Sequence, residues 1–425
     1  MRQMLILADD LSGAADCASA CTHHGLSAAV SFGQPQNVLD CDVLSIDCDT
    51  RRLPSDEAAE RVRAIMRANS APGGGQIVFK KVDSTLRGNV GSEIRAVLEE
   101  QRRSSADAVA ILAPAFPSRG RSTIHGYQFV HGAPLHETEI WKQDCLAGVA
   151  HIPSMLGREG LRIGIVDLHL LRAGEERVAE EMRQIAREVD VMVCDAETEE
   201  DLATIARASF LLGRQTVWVG SAGLAFQLPH AAGLVGSGPH RRKPQRGNGP
   251  TLFVVGTTSA VSRGQALLLE QIVPLRIVRV SPRLLLGGEA AAGWADTAVS
   301  ITGSLKAGAD TLVMLDAEES VAFDQRPLLT EALGAMLAPC VNLVGALVAT
   351  GGETARAILN SWNVSLLQVV GEVDRGVPYS VAELEGRTIP VLTKAGGFGD
   401  NDALLRCWEF VVGLSDERLP LRKNS

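Results

Sequence analysis

Residues 4–24 read MLILADDLSGAADCASACTHH, an unbroken apolar run, two aspartates, and then small residues with helical spacing from Ser12 to His24. The run is too short for a helix of its own and too evenly apolar for a half-exposed strand. It predicts a strand buried on both faces that feeds a helix. The unit recurs. DVLSI (42–46) precedes a helix near 55–69, QIVFKKV (76–82) a helix near 90–103, and AVAILA (108–113), RIGIVDL (162–168), VMVC (191–194) and TVWVG (216–220) follow. Strand then helix, repeated, is the signature of a parallel sheet covered on both faces.

The 425 residues carry 42 glycines, 18 prolines and a formal charge of -9, an ordinary globular composition long enough for two domains. Between 229 and 250 the sequence PHAAGLVGSGPHRRKPQRGNGP marks a linker. The alternation restarts after it with TLFVVG (251–256), a helix from about Ser259, a strand near 275–280, DTLVML, LVGALVATGG, a helix near 352–360, VSLLQVV, TIPVLT and a helix near 400–413. The expected architecture is α/β, with two domains of mainly parallel sheet covered by helices: 1–232, a linker 233–250, and 251–425. The segment 113–144 breaks the rhythm, being rich in Pro, Gly, Arg and His, and reads as a lid, a dimer arm or a structural excursion.

Composition excludes several functions. No apolar run reaches the ~18 residues of a membrane span, and Met1-Arg2-Gln3 leads into the first strand, so a soluble cytoplasmic protein is expected. An acidic balance with 4% aromatics argues against nucleic acid. The eight cysteines (Cys17, Cys21, Cys41, Cys48, Cys145, Cys194, Cys340 and Cys407) form no CxxC pair and read as buried, reduced thiols.

Ligands of open α/β sheets bind beyond the carboxyl ends of the strands, so the residues there carry the functional reading. In the first domain these are Asp9-Asp10, Asp47 to Arg52, and Lys80-Lys81 followed by Asp83-Ser84-Thr85-Leu86-Arg87-Gly88. Three strand ends with carboxylates, hydroxyls and cations suit a small polyhydroxylated anion. Each piece also has a plain structural use: Asp10 or Ser12 as a helix N-cap, Asp83-Ser84-Thr85 as a capping turn, Arg51 as a solvated surface residue. In the second domain the strand ends are glycine turns, Gly256-Thr257-Thr258-Ser259, Thr350-Gly351-Gly352-Glu353-Thr354 and Lys394-Ala395-Gly396-Gly397-Phe398-Gly399-Asp400. Backbone N–H groups at such turns can cradle phosphates. The sequence lacks a Gly-Lys dipeptide and hence a P-loop, a complete GxGxxG, an HExxH and a GxSxG elbow. His125, His131 and His136 read as structural or lid residues. Asp400 could act as general base toward an attacking hydroxyl, or could cap the last helix.

The motifs ADDLSGAAD (8–16), KKVDSTLRGN (80–89), PAFPSRGRSTIHGYQFVHGAPLHETE (114–139), GSAGLA (220–225), VVGTTSAVSRGQ (254–265), ATGGETA (349–355) and KAGGFGDNDAL (394–404) together resemble the four-carbon acid sugar kinase family. The resemblance implies an ATP- and Mg2+-dependent kinase acting on the terminal hydroxyl of a tetronate, with a sugar-acid domain, a nucleotide domain and an active site in the cleft between them. It implies substrate contacts from Asp9, Arg51, Lys81, Asp83 and Ser84, and ATP contacts from Ser259, Gly351, Gly352, Glu353, Thr354 and Gly396 or Gly397. Asp400 is the expected general base, from its place on the last glycine turn, with Asp9 as runner-up, and no metal ligand is assigned. Threonate, erythronate and 3-oxo-tetronates are the acids in view, and the Asp-Leu-Ser-Gly variant inclines the reading to D-threonate. The departures are Ser12 where many members have Thr, and Cys145 after Asp144 where proline is common. Two other classes stay open: a nucleotide-sensing sugar-acid binding protein, and a sugar-acid dehydrogenase, which the missing dinucleotide fingerprint argues against. The protein is also a possible homodimer.

Overall fold

The computed structural model describes residues 2–33, 40–70, 75–143, 148–212, 215–236, 247–257, 259–316, 325–384 and 386–413. The chain divides into two compact units, Met1–Pro239 and His240–Ser425. Most of the expected linker, residues 237–246, and the Asp144-Cys145 departure lie outside the described residues.

The first unit contains β1 (Met4–Ala8), β2 (Ala28–Phe32), β3 (Val43–Asp47), β4 (Ile77–Lys81), β5 (Val109–Ala113), β6 (Arg121–Ile124), β7 (Tyr127–Val130), β8 (Ala133–Pro134), β9 (Ile163–Val166), β10 (Val191–Cys194) and β11 (Thr216–Gly220). The order β2-β3-β1-β4-β11-β5-β10-β9 forms a sheet in which all neighbours run parallel. Every residue of β1, β3, β4, β5 and β11 is buried, which is why these strands are mainly apolar without regular alternation, the charges of β3 and β4 falling at their carboxyl ends. The period of two still sorts their side chains. Leu5 and Leu7 join a core with Val62, Ile65 and Met66 of helix Ser55–Asn69 and Ile94, Val97 and Leu98 of helix Val90–Arg102. Met4 faces the other layer, where the Cys21 thiol of helix Leu11–Thr22 lies 3.8 Å from its sulfur.

Two features of this unit depart from the sequence reading. AAVSF is a strand, β2, that the reading passed over. The described part of the segment 113–144, residues 113–143, has regular structure: β6, β7 and β8 form a small antiparallel sheet, and Val130, Leu135 and Trp141 join the main core. Its hairpin turns at His125 and Gly126, both with positive φ, and the Asp195 carboxylate accepts from both of their N–H groups at 2.6 and 2.9 Å.

The second unit contains β12 (Thr251–Val255), β13 (Arg276–Val280), β14 (Thr311–Leu315), β15 (Ala346–Thr350), β16 (Leu366–Asp374), β17 (Val377–Leu384) and β18 (Arg387–Lys394), ordered β13-β14-β12-β15-β18-β17-β16. From β13 to β18 neighbours run parallel, whereas β17 is antiparallel to both β16 and β18. The sequence reading missed β17: its sequence VPYSVAEL mixes polar residues with a proline, and the turn that starts it ends on Gly376 with φ 74°. The sheet is therefore parallel with an antiparallel margin.

Candidate functional site

In the first unit, register brings the polar strand ends level. Ala8 of β1 lies opposite both Asp47 of β3 and Lys81 of β4, and Gly220 also pairs with Lys81. Asp9 and Asp10 thus leave the sheet beside the segments 48–52 and 82–88. Asp10 is the N-cap of helix Leu11–Thr22, its carboxylate accepting from the Gly13 N–H at 2.9 Å. Its other oxygen accepts from Arg51 Nη1 at 2.8 Å, and Arg51 Nε donates to Asp9 Oδ2 at 2.7 Å. Arg51 Nη2 lies 3.9 Å from Asp83, and Lys81 Nζ 3.9 Å from Asp9 Oδ1. Arg51 is therefore a hub for three carboxylates and not a solvated surface residue.

Asp83 accepts from Arg87 at 2.7 and 3.0 Å, from the Thr85 N–H at 3.2 Å and from the Thr85 hydroxyl. It does not cap the following helix, whose N-cap is Asn89. Ser84 is buried, and its carbonyl accepts from Gln128 Nε2 of β7 at 2.8 Å. Burial would raise the pKa of Asp9, but Arg51, Lys81 and Lys80 outweigh it and hold the carboxyl below its ordinary value. Asp83 is likewise pushed up by burial and pulled well down by Arg87, Arg51 and Lys81. Both acids are held ionised. Asp9 Oδ1 and Ser12 Oγ are buried without a hydrogen bond, so the cluster keeps an acceptor and a hydroxyl unspent.

Lys80 and Lys81, adjacent in sequence, have different uses because alternate strand residues face opposite sides. Lys80 is fully buried against Glu93 at 2.6 Å and donates to the Lys81 carbonyl at 2.8 Å, so it serves the layer beneath. Lys81 faces Asp9. Arg121, buried at the start of β6, adds a cation close enough to feel Asp83, Arg87 and Arg119. Burial pulls its pKa down, with Asp83 opposing that. Asp10, Arg87, Gln128 and Arg121 thus join the five residues expected from sequence. Arg87 stands in the same strand-end stretch and was within reach, whereas Gln128 and Arg121 carry no signal of their own.

In the second unit, Val255 pairs with Thr350 and Thr350 with Lys394, so the three glycine turns emerge side by side. Each precedes a helix: Ala260–Ile272, Gly352–Ser361 and Ala403–Gly413. Ser259 and Gly351 stand at N-caps without a side-chain capping bond, Glu353 lies in the first turn, and Thr354 is buried. Thr258 lies outside the described residues. The turns touch closely. A Cβ on Gly256 would lie 2.3 Å from Thr354 Oγ1, and one on Gly396 2.9 Å from Thr257 Oγ1. Three helix N-termini with glycine approaches are an anion-binding arrangement.

Asp400 differs from Asp9. Its side chain is 86% exposed and lies 3.6 Å from Arg406, which also pairs with Asp402 and Asp374. Its backbone carbonyl, and not its carboxylate, receives the Ala403 N–H at the start of the last helix. Among the described residues no group of three or more His, Cys, Asp or Glu side chains is placed to hold a metal ion. A nucleotide-borne Mg2+ needs fewer, since it keeps waters and takes phosphate oxygens plus one or two carboxylates. Glu353 and Asp400 are the acids that the turns offer.

Known proteins fit both halves. A sugar-binding N-terminal domain family matches residues 4–228, and a nucleotide-binding C-terminal domain family residues 252–404. The chain is 38% identical to a D-threonate kinase of Cupriavidus necator, over 98% of this chain and 99% of that one. It is 30% identical to a D-erythronate kinase of Heliobacterium modesticaldum, over 99% of this chain and 100% of that one. A crystal structure of a Haemophilus influenzae protein shares the fold with TM-score 0.69 and 21% identity, covering 96% of this chain and 100% of that one. With both halves matched in order and curated relatives aligned end to end, the chain belongs to the four-carbon acid sugar kinase family.

Proposed function

We propose that the protein is an ATP-dependent kinase that phosphorylates the terminal (4-) hydroxyl of a four-carbon sugar acid, with D-threonate as its preferred substrate. The observation that carries this is the Arg51 hub: buried carboxylates held ionised by Arg51, Lys81 and Arg87, with one Asp9 oxygen and the Ser12 hydroxyl unspent. Such a cluster offers cations to a carboxylate and acceptors to hydroxyls. Asp9, Arg51, Lys81, Asp83 and Ser84 are the proposed substrate contacts. Ser259, Gly351, Gly352, Glu353, Thr354, Gly396 and Gly397 are the proposed ATP contacts, with Mg2+ on the phosphates. The 38% identity to a D-threonate kinase supports the choice of acid. No helix among the described residues is long and apolar enough to cross a membrane, and the described cysteines are unpaired, which supports a place in the cytoplasm.

In the reaction a carboxylate takes the proton of the acid's terminal hydroxyl, the oxygen attacks the γ-phosphorus in line, and the bond to the β-phosphate oxygen breaks, releasing ADP. We take Asp9 as the base in place of the expected Asp400, because its Oδ1 lies buried in the sugar-acid cluster beside Lys81 without a hydrogen bond; Asp400 on the last glycine turn is the alternative. Transfer requires both ligands to meet in the reacting complex. The test is ADP release with ATP, Mg2+ and a panel of D- and L-threonate, D- and L-erythronate and the 3-oxo-tetronates. Turnover highest with D-threonate is expected. Release with D-erythronate alone would move the substrate, and tight binding of ATP and acid without any release would indicate a sensor.

A further inference from the structure

The turn Lys394 to Asp400 has an internal order that its sequence does not announce. Lys394 is 1% exposed, and its ammonium donates to the carbonyls of Ala395 at 3.0 Å and Phe398 at 2.8 Å and to Ser262 Oγ at 3.3 Å. Ser262 Oγ donates to the Gly396 carbonyl at 2.7 Å. Gln265, fully buried, donates from Nε2 to the carbonyls of Phe398, Gly399 and Asp400 at 3.1, 3.1 and 2.8 Å. Five carbonyls of one turn are thus drawn inward by three side chains from β18 and helix Ala260–Ile272.

A trans peptide is planar, with its C=O and the following N–H pointing in opposite directions. Turning the carbonyls of Ala395, Gly396, Phe398, Gly399 and Asp400 inward therefore turns the N–H groups of Gly396, Gly397, Gly399, Asp400 and Asn401 outward. Among the described residues none of these five N–H groups donates within the chain, whereas the Phe398 N–H closes the turn on the Ala395 carbonyl. Gly399 makes this possible with φ 83°, and a Cβ there would lie 2.9 Å from Ala403. Successive outward N–H groups over a buried ammonium are what a phosphate chain requires.

We infer that Gln265 and Lys394 are positioning residues of the nucleotide site: they touch no phosphate themselves but hold the carbonyls of the last glycine turn inward so that its N–H groups are aimed before ATP arrives. The inference rests on the kinase reading and adds residues to it. Its energetic content is preorganisation. Without the three side chains the turn would have to order on binding, at the expense of affinity for nucleotide and not for the sugar acid.

The test uses full-length Gln265→Leu, Gln265→Glu and Lys394→Met. The Glu variant is isosteric and sets an acceptor against three carbonyls. Three measurements are compared with wild type: calorimetric Kd for a non-hydrolysable ATP analogue with Mg2+, KM for ATP and for D-threonate separately, and Tm. We expect nucleotide Kd and KM to rise about tenfold or more, with the acid KM changed less than about twofold. A merely structural role would lower Tm and the active fraction while leaving both KM values at wild type, and that outcome overturns the inference. Variants that bind the analogue as tightly as wild type also overturn it. A wild-type protein that binds no nucleotide would instead overturn the kinase reading on which the inference stands. Gln265→Glu keeps the test decisive should Lys394→Met fail to fold.

Discussion

The two units carry sites of opposite construction. The first is made of charged side chains, with Arg51 joining Asp9 and Asp10 while Arg87 joins Asp83, all on or beside the ends of buried strands. The second is made of main chain: its last glycine turn has N–H groups that donate to nothing among the described residues, and the side chains Gln265, Lys394 and Ser262 lie behind it holding carbonyls. A site of the first kind recognises by matching charges and hydroxyls, and it fails when atoms are removed. A site of the second kind recognises by close approach of the backbone, and it fails when atoms are added in front of the turn or taken from the side chains behind it. On the proposed function, that contrast would separate a ligand read for its stereochemistry from one read for its phosphates.

The largest expected effect comes from removing one charge from the first site. Asp9→Asn keeps the shape but takes away the buried carboxylate whose Oδ1 is unspent. The expected loss in kcat is roughly 100- to 10,000-fold, the range of a general base, with nucleotide Kd unchanged. Asp400→Asn should cost far less. A result in which Asp400→Asn is the dead variant and Asp9→Asn the active one would exchange their roles.

Next is Arg51→Met, which leaves Asp9 and Asp10 in the buried cluster without their shared cation. Breaking a buried ion pair from one side costs about 3–5 kcal/mol, so denaturant unfolding should show a large loss of stability along with a raised KM for the acid. A stability loss with unchanged acid KM would reduce Arg51 to a structural hub.

The third effect is on pH. Asp83 titrates well below the ordinary carboxylate value because Arg87, Arg51 and Lys81 outweigh its burial. A lowered folded-state pKa stabilises above the unfolded value, and that contribution is lost as pH falls through the folded one. The stability that Asp83 contributes should therefore persist down through the ordinary carboxylate range and be lost only in stronger acid. Arg87→Ala should move the decline upward, measured as unfolding free energy from pH 7 to 2. An unmoved decline would mean that Arg51 and Lys81 suffice to hold Asp83.

The same contrast explains what could be read from the sequence. Apolar runs with polar ends gave the parallel strands and the charged site, because burial and charge are both written in side chains. Strands β2 and β17 escaped because AAVSF is weakly hydrophobic and VPYSVAEL carries proline and polar residues. The hairpin β6-β7 escaped because its turn is His125-Gly126, and His tolerates positive φ without announcing it. Lys80 and Lys81 stand together in one strand-end stretch, and the strand's period of two separates their uses. Gln265 and Lys394 were beyond reach for a deeper reason: their partners are carbonyls, which every residue possesses, so no pairing of residue types records the contact.

The smallest effect tests the contrast most directly, by adding one methyl group. At Gly397 a Cβ would meet nothing within 4 Å, and its φ lies outside the left-handed region, unlike that of Gly399. Gly397→Ala should therefore leave Tm and the acid KM as they are. If the turn accepts phosphate through its outward N–H groups, the methyl group stands where the ligand approaches, and KM for ATP should rise a few-fold. In the first site an added methyl group at an open position would change little and a removed charge would change much. At Gly397 the order is reversed, so a variant with wild-type KM for ATP would show that phosphate does not approach the turn over Gly397.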